Sequence, residues 1–514
     1  MGLLPPRSLL SGNPQYDDVQ VNCDGSRIAF KQYKAKDLVD ICVIEAASAE
    51  DLASAKRITD CDTKKRISDF IWTAHPNVLV FTLNAAFNSG TEIWALDTIT
   101  LKETLLTPTR GSLNSTQSHW ISLSHPNQII IASNKRKKTC RDLYLVDIWS
   151  GEWKLLVEFD EGFTDVHVDL ERGFGIVVQA SQVHRFEFAV NVDMSSSTQN
   201  TSVTQTNTSA KTFLFETLTL SDESIFEVLG YDAESSSVLM LSNDQTKMTA
   251  FYAFNINSKE KKLLGYDDKS DITGILRDSA TSQLLAFQSE PIFRTYTTLL
   301  PSASNELTTI QNSVGEHSEF TVHSQTRNGK MWILRVAGFD SPISYWIYNR
   351  QTSHIYQFLS TRPGLLEYQL GTTTTRTITT RDGFSMTVYI TVPPGMNGID
   401  GNVREPLPAV LEAHGGPHYR PRYGFSSRRH LFATRGYIVI LPMFRGTPGF
   451  GKKWFTNGSG YSTWLNIQND IIDSVKWSIE QGLVIKEKIA FYGESFGGYS
   501  ALYALTKTPE SRQT

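Results

Sequence analysis

Residues 488–509 read Lys488-Ile-Ala-Phe-Tyr-Gly-Glu-Ser-Phe-Gly-Gly-Tyr-Ser-Ala-Leu-Tyr-Ala-Leu-Thr-Lys-Thr-Pro509, and this stretch decides the fold of the second half of the chain. Ile489–Tyr492 is a short apolar run with the character of a buried strand. Gly493, Gly497 and Gly498 permit a sharp turn, and Ser500–Thr506 resumes as a helix that Pro509 ends. Ser495 stands at the apex of that turn. In a Gly-x-Ser-x-Gly turn between strand and helix, the absent side chains let the two elements cross closely, which holds the serine in a strained conformation with its hydroxyl exposed. The helix start then brings backbone amides to the same place, beginning with Phe496. The five-residue pattern alone is also compatible with an ordinary glycine-rich turn; the strand before it and the helix after it favour the chemical reading. It is not a dinucleotide fingerprint, because its glycine spacing differs from Gly-x-Gly-x-x-Gly.

The surrounding composition is that of a globular protein with room for two or three domains: 514 residues, 40% hydrophobic and 20% charged. A net charge of -4 gives no reason to expect nucleic-acid binding, and the one short basic run, Lys135–Lys138, reads as a solvated hairpin tip. The N-terminus lacks the apolar core of a signal peptide and no stretch approaches the ~18 apolar residues of a membrane span, so a cytoplasmic location and no membrane partner are expected. Cys23, Cys42, Cys61 and Cys140 lack metal-ligand spacing and read as reduced thiols; no metal and no cofactor is expected. Asn200 and Asn207 head glycosylation-like triplets but read as plain loop residues.

Before about residue 360 the chain carries a weak repeat, a turn cluster leading into a short apolar run about every 45 to 60 residues. Asp24–Phe30, His75–Phe81 and His125–Ile131 are three instances, with four more at 169–178, 232–241, 278–287 and 326–334. His75 and His125 read as turn caps rather than metal ligands. Strands without helices at this period predict propeller blades of about four strands, seven in number; a pair of β-sandwiches is the alternative. The Ser/Thr/Gln/Asn tract 195–210 predicts a loop.

Near Thr361-Arg-Pro-Gly364 the texture changes to alternating strands and helices, placing a boundary between residues 362 and 363. Strands are predicted at 375–380, 386–392, 409–413 and 437–441, and helices at 427–434 and 470–481, which together mean a mostly parallel sheet covered by helices. Ligands of such sheets sit at the carboxyl ends of strands. Two loops fall there: His414-Gly-Gly-Pro417 and Phe444-Arg-Gly-Thr-Pro-Gly-Phe-Gly451. Either alone reads equally well as structural; together with the Ser495 turn, in this order, they point to one site.

These motifs, with Arg435-Gly-Tyr437, Asn469-Asp470, Trp477 and an opening Leu10-Ser-Gly-Asn-Pro14, resemble the prolyl oligopeptidase family of serine peptidases, in its acylaminoacyl-peptidase-like and dipeptidyl-peptidase-like branch. The resemblance is strong over the last 130 residues or so and loose over the repeats. It implies an N-terminal seven-bladed β-propeller (1–362) followed by an α/β-hydrolase domain (363–514) that is incomplete after the nucleophile turn. It further implies Ser495 as nucleophile, the amides of Gly416 and Phe496 as the oxyanion hole, and His414 and Arg445 as supports. Where some relatives place a tyrosine hydroxyl, Phe450 has none to give. The expected substrate is a short peptide or an acyl- or aminoacyl-peptide, with assembly into a homo-oligomer left open. In an α/β-hydrolase the acid and the histidine follow the serine, yet all eleven histidines precede Ser495 and only 19 residues follow it. The sequence therefore predicts that the triad's base and acid are missing from these residues. The competing reading is a non-catalytic propeller protein that binds peptides or a protein partner.

Overall fold

The computed structural model describes residues 4–507 other than 36–37, 62–65, 85–90, 108–118, 122–124, 138, 164, 170–172, 180–181, 188–210, 218–225, 397–402 and 459–460. The tract at 195–210 and both Asn triplets lie outside the described residues, as does Glu510.

The first part of the chain is a succession of small antiparallel meanders spanning 16–57, 66–105, 119–157, 165–217, 226–265, 272–298 and 319–360. Each buries its faces against the sheets before and after it. Val80 and Ile93 of the second meander pack with Ile131 and Tyr144 of the third, and Ile176 of the fourth packs with Met240 and Tyr252 of the fifth. The succession closes on itself: Val19 and Ile28 of the first sheet share a core with Ile333 and Tyr345 of the last. Across that seam the Asp18 amide donates to the Tyr345 hydroxyl at 3.0 Å and the Val21 amide to Ser324 Oγ at 3.2 Å. Sheets packed radially in a closed ring leave no long edge open, which is the propeller arrangement.

Six of these sheets are four-stranded blades, one fewer than the seven the repeat predicts; the seventh, at 272–298, has three strands among the described residues. Where a fourth strand would follow, the chain enters the helix Pro301–Val314 instead. Ala303, Leu307 and Ile310 recur at helical spacing, and they fill the space between Leu285 of the three-stranded sheet and Trp332 of the last one. A reading that looked only for strand alternation passes over that helix.

The second part is a five-stranded sheet in the order 372–379, 385–392, 438–442, 407–413, 484–493. The first two strands form an antiparallel hairpin across Asp382-Gly383, and the last three are mutually parallel. Its core includes Ile390, Leu411, Ile440 and Phe444 under Ile467, Ile471 and Val475 of the long helix Tyr461–Glu480. That helix starts nine residues before the predicted 470. Asn469-Asp470 reads as a helix cap, but Asp470 is fully buried inside the helix, where its carboxylate holds Arg445. The short N-terminal helix Arg7–Ser11 packs on the helix Ser427–Ala433, so the first residues join the second part rather than the ring. Among the described residues no helix is long and apolar enough to cross a membrane.

Candidate active site

The strand Val484–Gly493 runs into Glu494 and Ser495, and the helix Phe496–Lys507 begins at the very next residue, four earlier than the predicted Ser500. Ser495 has φ 54°, in the left-handed region, a conformation that costs a non-glycine residue about 1–3 kcal/mol and persists only where its surroundings impose it. Those surroundings are backbone. A Cβ on Gly497 would lie 2.0 Å from the Ala413 carbonyl oxygen, and one on Gly493 would lie 2.3 Å from the Gly497 carbonyl carbon. Gly498 is freer, its nearest neighbour for a Cβ being the Gly493 oxygen at 3.4 Å. Two of the three predicted glycines are thus required by close approach.

The helix is pinned behind the serine. Ser500 Oγ donates to the Phe496 carbonyl at 3.2 Å and accepts from Gln468 Nε2 at 2.9 Å. The Phe496 side chain is buried against Phe444 and Trp464. Its amide has no hydrogen-bond acceptor among the described residues, as is usual for the first N–H groups of a helix, where the partial positive charge favours an anion.

Parallel pairing sets Ala413 opposite Gly493, so the loop that begins at His414 emerges beside Ser495. A Cβ on Gly415 would stand 3.9 Å from Ser495 Cβ, and Gly415 lines a cavity together with Ser495. Gly416 is one residue further along; at φ 121° a side chain there would collide with the amides of His418 and Tyr419 at 2.6 and 2.9 Å. His414 is buried and stacked on Phe444. Its Nδ1 lies 2.8 Å from the Gly415 carbonyl, which can only accept, and its Nε2 faces the Thr447 hydroxyl at 2.9 Å. Burial pushes the imidazole down to about 4. It is a neutral support, and among the described residues no side chain hydrogen-bonds the Ser495 hydroxyl.

Arg445 is a support as well. Its guanidinium takes Asp470 at 2.6 and 2.8 Å and Asp382 at 2.8 and 2.9 Å, tying the loop after the 438–442 strand to the long helix and to the hairpin turn. Beyond it the loop docks on the ring. Asp271 accepts from the amides of Gly449 and Gly451 at 3.0 and 3.3 Å, and its own amide donates to the Gly449 carbonyl at 3.2 Å. Phe450 lies under the Arg420 guanidinium, 4.4 Å from it. Asp271 has no motif around it in the sequence; its role follows only from the ring's placement over the sheet.

Ser495 opens into a cavity of about 510 Å³ whose wall comes from both parts: Arg335 and Ile343 from the last meander, Glu412 and Tyr419 from the sheet and the loop after it, Arg428 and Arg429 from the helix Ser427–Ala433. Burial pushes the Glu412 carboxyl up, and Arg428 Nε stands 3.0 Å from it. Arg428 Nη1 also donates to Tyr492 and Glu494, both at 2.9 Å. A hydrogen bond from Tyr492 and the Arg428 charge hold Glu494 below the usual range. None of these charged residues was singled out by the sequence, where each looks like any surface arginine or glutamate. All four cysteines are free, and no group of His, Cys, Asp and Glu among the described residues could hold a metal ion.

A strand, a left-handed serine and a helix, with a glycine loop alongside and a ring of β-sheets above, make up a propeller joined to an α/β-hydrolase-like sheet. Residues 423–511 match the family model of the prolyl oligopeptidase family. The chain is 26% identical over 508 residues to dipeptidyl aminopeptidase BIII of Pseudoxanthomonas mexicana, covering 98% of this chain and 70% of that protein. It is 23% identical over 546 residues to dipeptidyl peptidase family member 6 of Caenorhabditis elegans, covering 98% of this chain and 69% of that protein. A shorter match, 30% identical over 103 residues, joins it to acylamino-acid-releasing enzyme 2 of Oryza sativa subsp. japonica, covering 20% of this chain and 13% of that protein. Among solved structures, a puromycin-hydrolyzing peptidase of Mycobacterium tuberculosis superposes with TM-score 0.70 at 13% identity, covering 98% of this chain and 78% of that one. Residues 423–511 thus carry the prolyl oligopeptidase family domain, and the relatives support an S9 family peptidase.

Proposed function

We propose that this protein is the Ser495-bearing part of a serine peptidase that cleaves short peptides or acyl- and aminoacyl-peptides through an acyl-enzyme. The observation that carries the reading is the left-handed Ser495 at the mouth of a cavity shared by the ring and the sheet. Ser495 would attack the scissile carbonyl, and the Phe496 amide, with that of Gly416 or of its nearer neighbour Gly415, would take the developing oxyanion. The ring would limit access to peptides small enough to enter. We take 1–362 as the ring and 363–514 as the hydrolase part, with Arg7–Ser11 packed on the latter.

One observation favours a second reading. Among these 514 residues no histidine follows Ser495, and His414 is already engaged, so the described residues place no base at the serine. Unassisted, a serine hydroxyl is a weak nucleophile at neutral pH. Residues 1–514 are therefore expected to be poorly reactive by themselves, and a purely peptide-binding role remains the competitor. Labelling with a fluorophosphonate separates the two: slow or absent labelling of 1–514 fits the proposal, whereas labelling at the rate of an ordinary serine hydrolase means that a base is present within these residues.

A further inference from the structure

The cavity beside Ser495 is lined by four arginines, Arg335, Arg422, Arg428 and Arg429, against two glutamates, Glu412 and Glu494. One arginine answers both glutamates: Arg428 bonds Glu494 at 2.9 Å and stands 3.0 Å from Glu412. Arg429 is only 4% exposed; its Nη2 donates to the Gly424 carbonyl at 2.5 Å and its guanidinium lies 5.0 Å from the Phe339 ring, but its Nη1 is buried without a partner. The Glu412 Oε2 in the same wall is likewise buried without a partner, so the two buried groups leave one unmet donor and one unmet acceptor. The side chains of Arg335, from the ring, and Arg422, from the loop after His414-Gly-Gly-Pro417, make no hydrogen bond or ion pair among the described residues. Two guanidiniums without a hydrogen-bonded carboxylate partner, Arg335 and Arg422, therefore line the space that a bound peptide would fill, while that of Arg429 is buried in the wall.

We propose that this cavity selects its ligand through a carboxylate, taken by Arg335 and Arg422, so that the preferred peptides carry a free carboxylate on a side chain or at the C-terminus. The inference rests on the peptidase reading for the ligand being a peptide, and it names the substrate class. Guanidinium suits the task because its planar fork matches the two carboxylate oxygens. A free N-terminal ammonium would instead go to Glu412, whose Oε2 has no hydrogen-bond partner among the described residues.

The test uses residues 1–514 carrying Ser495→Ala, titrated calorimetrically with acetyl-Ala-Ala-Asp amide, acetyl-Ala-Ala-Asn amide, acetyl-Ala-Ala-Ala acid, acetyl-Ala-Ala-Ala amide and Ala-Ala-Ala amide. A carboxylate-bearing peptide should bind at least about 10-fold tighter than its neutral counterpart, the scale of a hydrogen bond to a charged group. Which of the two acidic peptides leads tells side chain from C-terminus. Arg335→Gln and Arg422→Gln, each with an unchanged circular dichroism spectrum, should abolish most of that preference and leave binding of the neutral peptides as it was. Equal affinities, tightest binding of the free-amine peptide, absence of binding by all five, or a preference that survives both substitutions overturns the proposal. Hydrolysis measured separately distinguishes the failures: a carboxylate preference without catalysis in any form of the chain defeats the peptidase reading alone, and catalysis without the preference defeats this one alone.

Discussion

The carboxylate of Asp470, fully buried within the long helix, holds the guanidinium of Arg445, itself 2% exposed, through contacts of 2.6 and 2.8 Å. The same carboxylate accepts from the Arg445 amide at 3.0 Å, so one side chain fixes both the backbone and the tip of the loop that docks on Asp271. Removing one member of such a pair leaves the other buried and uncompensated, a cost of about 3–5 kcal/mol. Because Asp382 would still hold the Arg445 guanidinium, Asp470→Ala should lower the unfolding free energy by about 3 kcal/mol, the lower end of that range, in urea denaturation. Asp382→Ala, which removes the more exposed partner of Arg445, should cost less than about 1 kcal/mol. Equal effects from the two would contradict this assignment.

The two glycines flanking the serine turn differ from the third. Gly497→Ala places a methyl 2.0 Å from the Ala413 carbonyl, which only a shift of strand or turn can relieve. It should destabilise the protein by about 3 kcal/mol, at the upper end for overpacking. Gly498→Ala, with 3.4 Å of room, should change the melting temperature by no more than a few degrees.

Acid should weaken the fold in a defined window. Burial pushes both His414 and His430 down to about 4. Because the folded values lie below the ordinary value near 6.5, the unfolded chain takes up protons that the folded one refuses. Stability is fully present above about pH 6.5 and falls as the pH drops toward 4, by about 3 kcal/mol for each histidine. Urea titrations at pH 7 and pH 4.5 should show the loss, and His414→Gln with His430→Gln should flatten it. A profile equally steep in that double variant would assign the loss to other groups.

How much of this was legible beforehand depended on how local the cause is. The Ser495 turn could be read because Gly493, Gly497 and the strand and helix around them lie within some twenty residues. The hairpin over Asp382-Gly383 was legible for the same reason, and His75 does cap its turn, its Nδ1 accepting from the Asn77 amide at 3.2 Å. The helix Pro301–Val314 was missed because Leu307 and Ile310 have meaning only against Trp332 of another sheet. The early start of the Tyr461 helix was missed because an aspartate at 470 looks like a cap until Arg445 is seen against it. Arg335 and Asp271 were invisible: each meets the site across more than 75 residues of chain, and only the closure of the ring brings them there.

In the described sheet the strand Val484–Gly493 is at the edge, and Trp464, Leu465, Tyr499, Leu502 and Leu505 are exposed on the helices nearby. Open strand edges and apolar surface favour local opening and association. Limited proteolysis of residues 1–514 should therefore cut first within 364–514 and leave a resistant ring fragment. Hydrogen exchange as slow over 409–505 as over the meanders, in a monomer, would speak against it.

The most direct measurement of the central claim is hydrolysis of an aminoacyl-arylamide and an acetyl-peptide by two preparations, residues 1–514 and a longer form that carries an acid and a histidine after Ser495. The account predicts no useful turnover by the first and clear turnover by the second, abolished by Ser495→Ala apart from the small residue that binding alone sustains. Turnover that survives Ser495→Ala, or a longer form with acid and histidine in place that cleaves neither substrate, would contradict it.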